Sequence, residues 1–350
     1  MIGKSVPRVD AYEKVTGRAK FTDDLVPPRC LVAKVLHATI GNGIVKSIDT
    51  SEAVALEGVV KVVTFYDVPD HCYPTPGHPW SVELAHQDVA DRNLLTGRVR
   101  YYGDDIAAVV AEDEIIAARA LKLIKVEYEE YPVVVSPKIS MRGTEHPIHL
   151  DKKDNILARS SFAIGDVDSA MEKAAVKLKR SYKTPIVQHC HIENNISYAY
   201  MEKGRVVVVS STQIPHIVRR VISQALGLPV GKIRVIKPYI GGGFGNKQDA
   251  LYEPLCAWCC TQVGGRLVKL DCSREETFVS NRVRHAIRFH IVSWLRPDGT
   301  FAARKVELFS NQGAYASHGH SIVAKAMGSF PQHYPCDNME CDAWTVFTNR

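Results

Sequence analysis

Three segments of this sequence hold residue types that could do chemistry. The first is Gly241-Gly242-Gly243-Phe244-Gly245-Asn246-Lys247-Gln248, which follows a β-rich run from Lys232 to Ile240 and precedes a stretch of helical spacing. Glycines there permit positive φ and close backbone approach, and N–H groups at a strand-to-helix junction are free to meet an anion or a cofactor. The loop is not a Walker loop, because Asn246 precedes Lys247 and no Ser or Thr follows. It is not the dinucleotide fingerprint either, since Asn246 holds the third glycine position. The plain alternative is a tight turn around a buried Phe244, but four glycines are more than a turn needs. The second segment is Ser210-Ser211-Thr212-Gln213-Ile214-Pro215. Gln213 falls where a strand's carboxyl end meets a helix start, a common place for ligand contacts in α/β sheets, although a capping amide is the commoner role. The third is Gln188-His189-Cys190-His191-Ile192-Glu193. If extended, it puts His189, His191 and Glu193 on one face, as a metal ligand set would need. A hydrogen-bonded structural histidine is the commoner alternative. The pair His318 and His320 carries less. Cys256, Cys259 and Cys260 sit in an apolar, helically spaced segment with no second ligand pair nearby, which favours core cysteines over a cluster site.

These segments need a scaffold, and the pattern of apolar residues supplies one. Leu31 to Ala38 and Val59 to Phe65 read as strands, and Val99 to Glu112 as two strands around Gly103. Asp113 to Lys125 has helical spacing, with acids at its start and bases at its end. Lys125 to Val135 returns to strand. Ser136 to Asp154, with Pro137, Gly143 and Pro147, reads as a linker and places a domain boundary there. Beyond it, Asp166 caps a short helix, Asn195 to Ser211 forms a hairpin turning at Glu202-Lys203-Gly204, and Pro215 to Gly227 is a helix with proline first and glycine last. Arg266 to Asp271 is a strand, and Arg288 to Phe309 is a hairpin turning at Asp298-Gly299.

Composition narrows the classes further. The chain has 350 residues, 45% hydrophobic and 23% charged, which is globular and leaves room for two domains. No run of 18 apolar residues exists, so no membrane helix is expected. Met1 to Asp10 lacks an apolar h-region, so no secretory leader is expected. Nine cysteines without an export signal point to free thiols in a reducing, cytoplasmic setting. Forty-four Lys and Arg against 38 Asp and Glu are interleaved, so neither nucleic acid nor membrane is expected as a partner.

Taken in order, several motifs point to one family. They are SVPRVDAYEKVTGRAKFTDDL (Ser5 to Leu25), RYYGDDIAAVVAE, QHCHIE, SSTQIPH, GGGFGNKQ, SREE (Ser273 to Glu276) and NQGAYASHG (Asn311 to Gly319). Together they cover nearly the whole chain. The chain resembles the molybdenum-binding subunit of the xanthine dehydrogenase and aldehyde oxidase family of molybdenum hydroxylases. The GGGFGNKQ and TQIPH forms together are similar to those of bacterial xanthine dehydrogenases.

The resemblance implies an α+β fold. Residues 1–135 would form an α/β hammerhead domain with its core at about 17–130, and 136–350 the first molybdopterin-binding domain, incomplete at its C-terminus. It implies a molybdenum–molybdopterin cofactor, in bacterial relatives often the cytosine dinucleotide form. By motif match, Gln213 would approach an oxo ligand of molybdenum through its amide. Phe244 would lie at the metal, with Gly242, Gly243 and Gly245 turning backbone amides to the cofactor. Gln248 falls where many purine-oxidising members have a substrate-contacting Glu, and Lys325 where some have an Arg. Both departures keep hydrogen-bonding groups but change charge or geometry.

The activity implied is oxidation of purines (hypoxanthine or xanthine) with water as oxygen source. Electrons would leave through iron–sulfur and FAD subunits. Nicotinate or another N-heterocycle, an aldehyde or an aromatic acyl thioester are the alternative substrates, and a non-catalytic structural remnant is the alternative from another class. In the family, an Arg-Gly-aromatic-Gly loop and a base glutamate follow the point reached at Asn349-Arg350. The base is therefore expected outside these residues, on a missing segment or a C-terminal molybdenum-binding chain, and no catalytic residue is assigned here. The chain alone, supplied with molybdenum cofactor, is expected to give no hydroxylase turnover in a purine-oxidation assay; measurable turnover would contradict this.

Overall fold

A strand buried on both faces needs a continuous apolar run rather than an alternating one. Asp105–Ala111 (DIAAVVA) is buried along its whole length, and Arg205–Ser210 (RVVVVS) at every position after its arginine. The structure, a computed structural model, describes residues 2–77 and 87–350. Its first part runs α1 (Ala11–Val15), β1 (Leu31–His37), β2 (Gly43–Asp49), α2 (Ser51–Ala55), β3 (Val59–Thr64), β4 (Arg98–Val99), β5 (Asp105–Ala111), α3 (Glu114–Leu123) and β6 (Lys125–Glu130). There follow α4 (Pro137–Ser140), β7 (Ile156–Ile164), α5 (Val167–Glu172), β8 (Val176–Lys183), β9 (Ile196–Glu202), β10 (Arg205–Ser210), α6 (Pro215–Leu226) and β11 (Ile233–Ile236). The chain then forms α7 (Glu253–Gln262), β12 (Val268–Asp271), α8 (Arg274–Ser280), β13 (Ala286–Leu295), β14 (Phe301–Gly313), α9 (Gly319–His333) and β15 (Met339–Phe347). Helices and sheets are mixed without regular alternation, so the fold is α+β.

Three sheets organise these strands. A seven-stranded sheet has the order β11-β10-β9-β12-β1-β5-β3, a five-stranded sheet β7-β15-β14-β13-β8, and a three-stranded sheet β4-β2-β6. In the largest sheet β1 runs parallel to β12, with Leu31 opposite Val268 and Ala33 opposite Leu270. The two stretches that chain order separates therefore share one hydrogen-bonded sheet. Nothing local announces that pairing, because its partners lie more than 230 residues apart. Alternate side chains point to opposite faces. Ala108 and Val110 pack with Val206, Val208 and Leu255 under α6 and α7, while Ala107 and Val109 pack with Ala117 and Ala120 of α3. Cys256, Cys259 and Cys260 are wholly buried in the first of these cores, as members of α7.

Local signals mark most helix ends. Pro215 starts α6, and Gly227 ends it at a φ of 65°, the left-handed conformation that glycine adopts without strain. Asp166 accepts from the Ser169 N–H at the start of α5, and Ser273 with Glu276 forms a reciprocal capping box on α8.

Other expectations are corrected. The strand expected over Lys232 to Ile240 is only Ile233–Ile236, and β6 stops at Glu130. The stretch 136–154 is no loose linker. Ser140 Oγ donates to Phe347 O at 2.6 Å, His149 Nε2 lies 2.7 Å from Ala314 O, and Asn155 Oδ1 accepts from Ile148 N at 2.9 Å. Proline and glycine there shape a packed strap that bonds to the Phe347 carbonyl on β15 and to the Ala314 carbonyl just past β14.

One buried cluster fastens the two stretches together. His37, at the end of β1, lies 2.9 Å from Asp105 Oδ1 on β5 and 3.8 Å from Glu276 Oε1 on α8. Arg92 Nη2 holds the other Asp105 oxygen at 2.9 Å. Burial pulls the His37 imidazole toward neutrality, but the neighbouring carboxylates of Asp105 and Glu276 outweigh it and push the group from 6.5 up to about 9. The folded value lies above the unfolded one, so the stabilisation is complete below about pH 6.5 and disappears as pH rises through about 9. Urea midpoints are expected to fall across that window. His37→Gln should be less stable at pH 6.5 and should lack that part of the slope; an unchanged slope would refute the assignment.

Candidate functional site

The site forms where two neighbouring strands end. β10 and β11 are parallel, connected through α6, and in register from Val206 opposite Ile233 to Val209 opposite Ile236. Their carboxyl ends bring the segment after Ser210 beside the glycine loop, as open α/β sheets do at ligand sites. Thr212 Oγ1 accepts from Ile214 N at 3.1 Å and turns the chain into α6. The Gln213 backbone N–H donates to Lys247 O at 2.9 Å, so the two junctions are bonded directly to each other.

The loop takes a conformation few sequences allow. Gly242, Phe244 and Gly245 have φ of 99°, 51° and 92°. A Cβ on Gly243 would lie 2.5 Å from Gln213 Oε1, so only glycine lets this backbone meet that amide. Gln213 Oε1 accepts from the Gly245 N–H at 3.0 Å. The amide's remaining end is Nε2, a donor. Among the described residues, the N–H groups of Gly242, Gly243 and Phe244 have no hydrogen-bond partner. Successive N–H groups in such alternating φ values form a nest that suits an anionic or oxo-bearing group. Phe244 is 73% exposed, so it is not the buried hub of a tight turn. Of the loop amides assigned to a cofactor by motif, that of Gly245 is already used inside the protein.

A buried ion pair sets the loop's shape from below. The Lys247 side chain is 1% exposed, and its Nζ lies 2.9 Å from Glu193 Oε2. Burial pulls the Lys247 ammonium pKa down, and the Glu193 charge opposes that shift. The same Glu193 oxygen accepts from Gly241 N at 2.8 Å, and Glu193 N donates back to Gly241 O at 3.1 Å. Asn246 is fully buried and donates to Arg282 O at 3.0 Å. Sequence reasoning missed this pair as a unit. The available signal was a lysine placed directly after the glycine loop and before an apolar run.

The Gln188 to Glu193 segment is not the extended face that a ligand set needs. It lies outside the strands, and Cys190 has a φ of 51°, which breaks the alternation of its side chains. His191 is buried, with Nδ1 2.6 Å from Glu193 O. A carbonyl only accepts, so Nδ1 carries the proton, and burial with the nearby Lys247 charge keeps the ring neutral by lowering its pKa. His189 lies against Asn246. Among the described residues, no group of three or more His, Cys, Asp or Glu could hold a metal ion.

Gln248 closes a short turn, Asn246–Gln248, with its side chain exposed beside the loop. Lys325 stands exposed on α9, the helix that packs on the five-stranded sheet, about two turns from its N-terminal end. Gln213, Gly242, Gly243, Phe244, Gly245 and Gln248 thus share one wall, and Lys325 stands on the helix whose N-cap, His318, lies beside the Gln248 carbonyl.

Residues 16–132 match the aldehyde oxidase and xanthine dehydrogenase a/b hammerhead domain, and residues 148–350 match the molybdopterin cofactor-binding domain. The chain belongs to the xanthine dehydrogenase and aldehyde oxidase family of molybdenum hydroxylases. It is 43% identical over 343 residues to the xanthine dehydrogenase molybdenum-binding subunit of Escherichia coli O157:H7, covering 98% of this chain and 45% of that protein. It is 32% identical over 350 residues to the nicotinate dehydrogenase large molybdopterin subunit of Eubacterium barkeri, covering 100% of this chain and 79% of that one. The chain thus spans less than half the length of its xanthine dehydrogenase relative. Among solved structures, the aldehyde oxidoreductase from Desulfovibrio desulfuricans superposes with a TM-score of 0.91 at 26% identity, covering 99% of this chain and 39% of that one. The CO dehydrogenase of Oligotropha carboxidovorans gives 0.86 at 29%, covering 99% and 44%. No helix of the described residues is long and apolar enough to cross a membrane.

The family's cofactor fits the wall on its own chemistry: three open N–H donors, the donor end of Gln213, and a close backbone approach that a side chain at position 243 would obstruct. Gly243→Ala is expected to push Gln213 aside and lower the molybdenum content of the isolated complex several-fold. The buried Glu193–Lys247 pair below should keep the loss of thermal midpoint small. Full molybdenum content in this variant, by elemental analysis, would refute the close approach.

Proposed function

We propose that this chain forms one wall of the molybdenum site in a xanthine-dehydrogenase-like hydroxylase acting on a purine such as hypoxanthine or xanthine. The observation that carries the reading is the position of Gln248, a neutral hydrogen-bonding side chain exposed at the end of the glycine loop whose open donors would hold the cofactor. A carboxamide offers both a donor and an acceptor, which matches the ring nitrogens and carbonyls of an N-heterocycle better than a plain aldehyde. The resemblance to the xanthine dehydrogenase subunit supports the same substrate class. The full-length similarity to the nicotinate dehydrogenase subunit supports nicotinate as the second reading.

When bound, the molybdenum cofactor supplies oxygen transfer from water and accepts two electrons from the substrate. The chain's own residues bind and orient. The N–H groups of Gly242, Gly243 and Phe244 would hold an oxo-bearing or anionic part of the cofactor, and Gln213 Nε2 would donate to an oxo group. Phe244, exposed in this chain, would cover the cofactor and exclude water from it. Gln248 would fix the heterocycle's orientation, so that its electron-poor carbon faces the metal. In this proposal the base glutamate comes from polypeptide outside these 350 residues, the cofactor is the cytosine dinucleotide form, and iron–sulfur and FAD subunits in the cytoplasm take the electrons.

The native complex isolated through this chain should contain about one molybdenum per chain, as a resident cofactor requires. It should oxidise hypoxanthine or xanthine in preference to nicotinate. Gln248→Ala should raise KM for the heterocycle about tenfold, the order of one lost hydrogen bond, with molybdenum unchanged. Absence of molybdenum with partners retained would leave the non-catalytic reading; intact purine oxidation in Gln248→Ala would remove Gln248 from substrate binding.

A further inference from the structure

The glycine loop is held from below by Glu193, but a second buried carboxylate holds it from the side. Asp249 directly follows Gln248, and its side chain is 0% exposed. Its Oδ2 lies 3.1 Å from Arg282 Nε and accepts from Ser317 Oγ at 2.6 Å. Its Oδ1 lies 3.5 Å from His318 Nε2. The partners come from two separate parts of the chain. Arg282 is on the loop after α8, and Ser317 and His318 lie between β14 and α9.

The partners pass the constraint on to the site wall. Arg282 uses Nε for Asp249 and Nη1 for the Gly245 carbonyl, at 3.1 Å. Gly245 is also the residue whose N–H is taken by Gln213 Oε1. Its peptide groups on both sides are therefore fixed, one through Gln213 and one through Arg282. His318 Nε2 lies 3.3 Å from the Gln248 carbonyl. One carboxylate thus bears on both functions of the wall, on Gly245 toward the cofactor and on Gln248 toward substrate. Asp249 and Arg282 also line a cavity of about 410 Å³ with Tyr102, Phe278 and Tyr315.

We infer that Asp249 is a positioning residue that, through Arg282 and His318, sets the glycine loop and Gln248 in the geometry that holds the cofactor and orients substrate. This rests on the molybdenum-hydroxylase reading of the site. The chemistry explains why an arginine is needed opposite it. A guanidinium can engage a carboxylate and a carbonyl at once with a fixed angle between them, whereas an ammonium on a flexible stem is a single point. Asp249 itself would touch neither cofactor nor substrate.

The test uses the native complex carrying Arg282→Lys, which keeps the charge opposite Asp249 but loses the fork. Asp249→Asn is the second variant, which removes the charge and leaves the shape. Molybdenum loss during dialysis, the electron paramagnetic resonance line shape of the reduced complex and the thermal midpoint are measured together. Both variants should lose molybdenum about tenfold faster than wild type, the usual size of an outer-shell effect on a metal site, with a changed line shape. Arg282→Lys should do so with little change in midpoint, which a merely structural role would not produce. Lowered midpoints with wild-type retention and line shape would overturn the positioning role and leave the functional reading intact. A wild-type complex that holds no molybdenum would overturn both.

Discussion

Glu193 is the group on which the glycine loop depends. One of its oxygens takes both the Gly241 N–H and the Lys247 ammonium, while its backbone N–H returns to the Gly241 carbonyl. The carboxylate therefore sits across the loop's two ends. A lysine this deeply buried is costly unless paired, and removing one partner would strand the other's charge in a poorly solvated place. That cost works in the loop's favour. In the arrangement that keeps the pair together, Gly242, Gly243 and Phe244 have N–H groups left over among the described residues. The protein satisfies the loop's mechanical needs with side chains and so leaves its backbone donors for something else.

The pair could not do this without the sheet around it. β10 and β11 must end side by side for Gln213 to reach Gly245, and their parallel register follows from the α6 crossover between them. That half of the sheet is continued by β12 and, through parallel pairing, by β1 from the other end of the chain. Its edge is thus covered by strands of the hammerhead stretch, and the His37, Asp105 and Glu276 cluster fastens the two where β1, β5 and α8 meet. Family matching divides the chain into residues 16–132 and 148–350, yet the hydrogen-bonded framework runs across that division. The site wall belongs to the later stretch, and its rigidity draws on both.

Much of this was legible in the residues. The apolar, β-rich runs around Gly103 and over Asn195 to Ser211 marked β5, β9 and β10 as strands, and proline and glycine bracketed α6. Those features are local: each is set by steric limits or by burial acting within a dozen residues. The failures share the opposite cause. His189, His191 and Glu193 share a face only in extended backbone; Cys190 in the left-handed region removes that condition, Lys247 claims Glu193, and His191 takes the hydrogen-bonded structural role that was the commoner alternative. The stretch 136–154 read as a linker because its prolines and glycine resemble one, but its Ser140 and His149 side chains bond to the distant carbonyls of Phe347 and Ala314 and pack it down. Lys325, placed by alignment, stands exposed on α9, which packs on the five-stranded sheet.

The sequence by itself determined the kind of protein: an α+β chain of the molybdenum hydroxylase family, with the glycine loop and Gln213 as the proposed cofactor contacts. It could do so because motif order and local steric requirements are written in neighbouring residues. Only the tertiary structure decided which charges are structural and which donors are free. It paired Glu193 with Lys247, set Asp249 between Arg282 and Ser317, turned Gln213 oxygen-inward, and joined β1 to β12. Each of those contacts needs at least one partner brought in from a distant part of the chain. A burial cost or an ion pair has no value until folding removes the water around it.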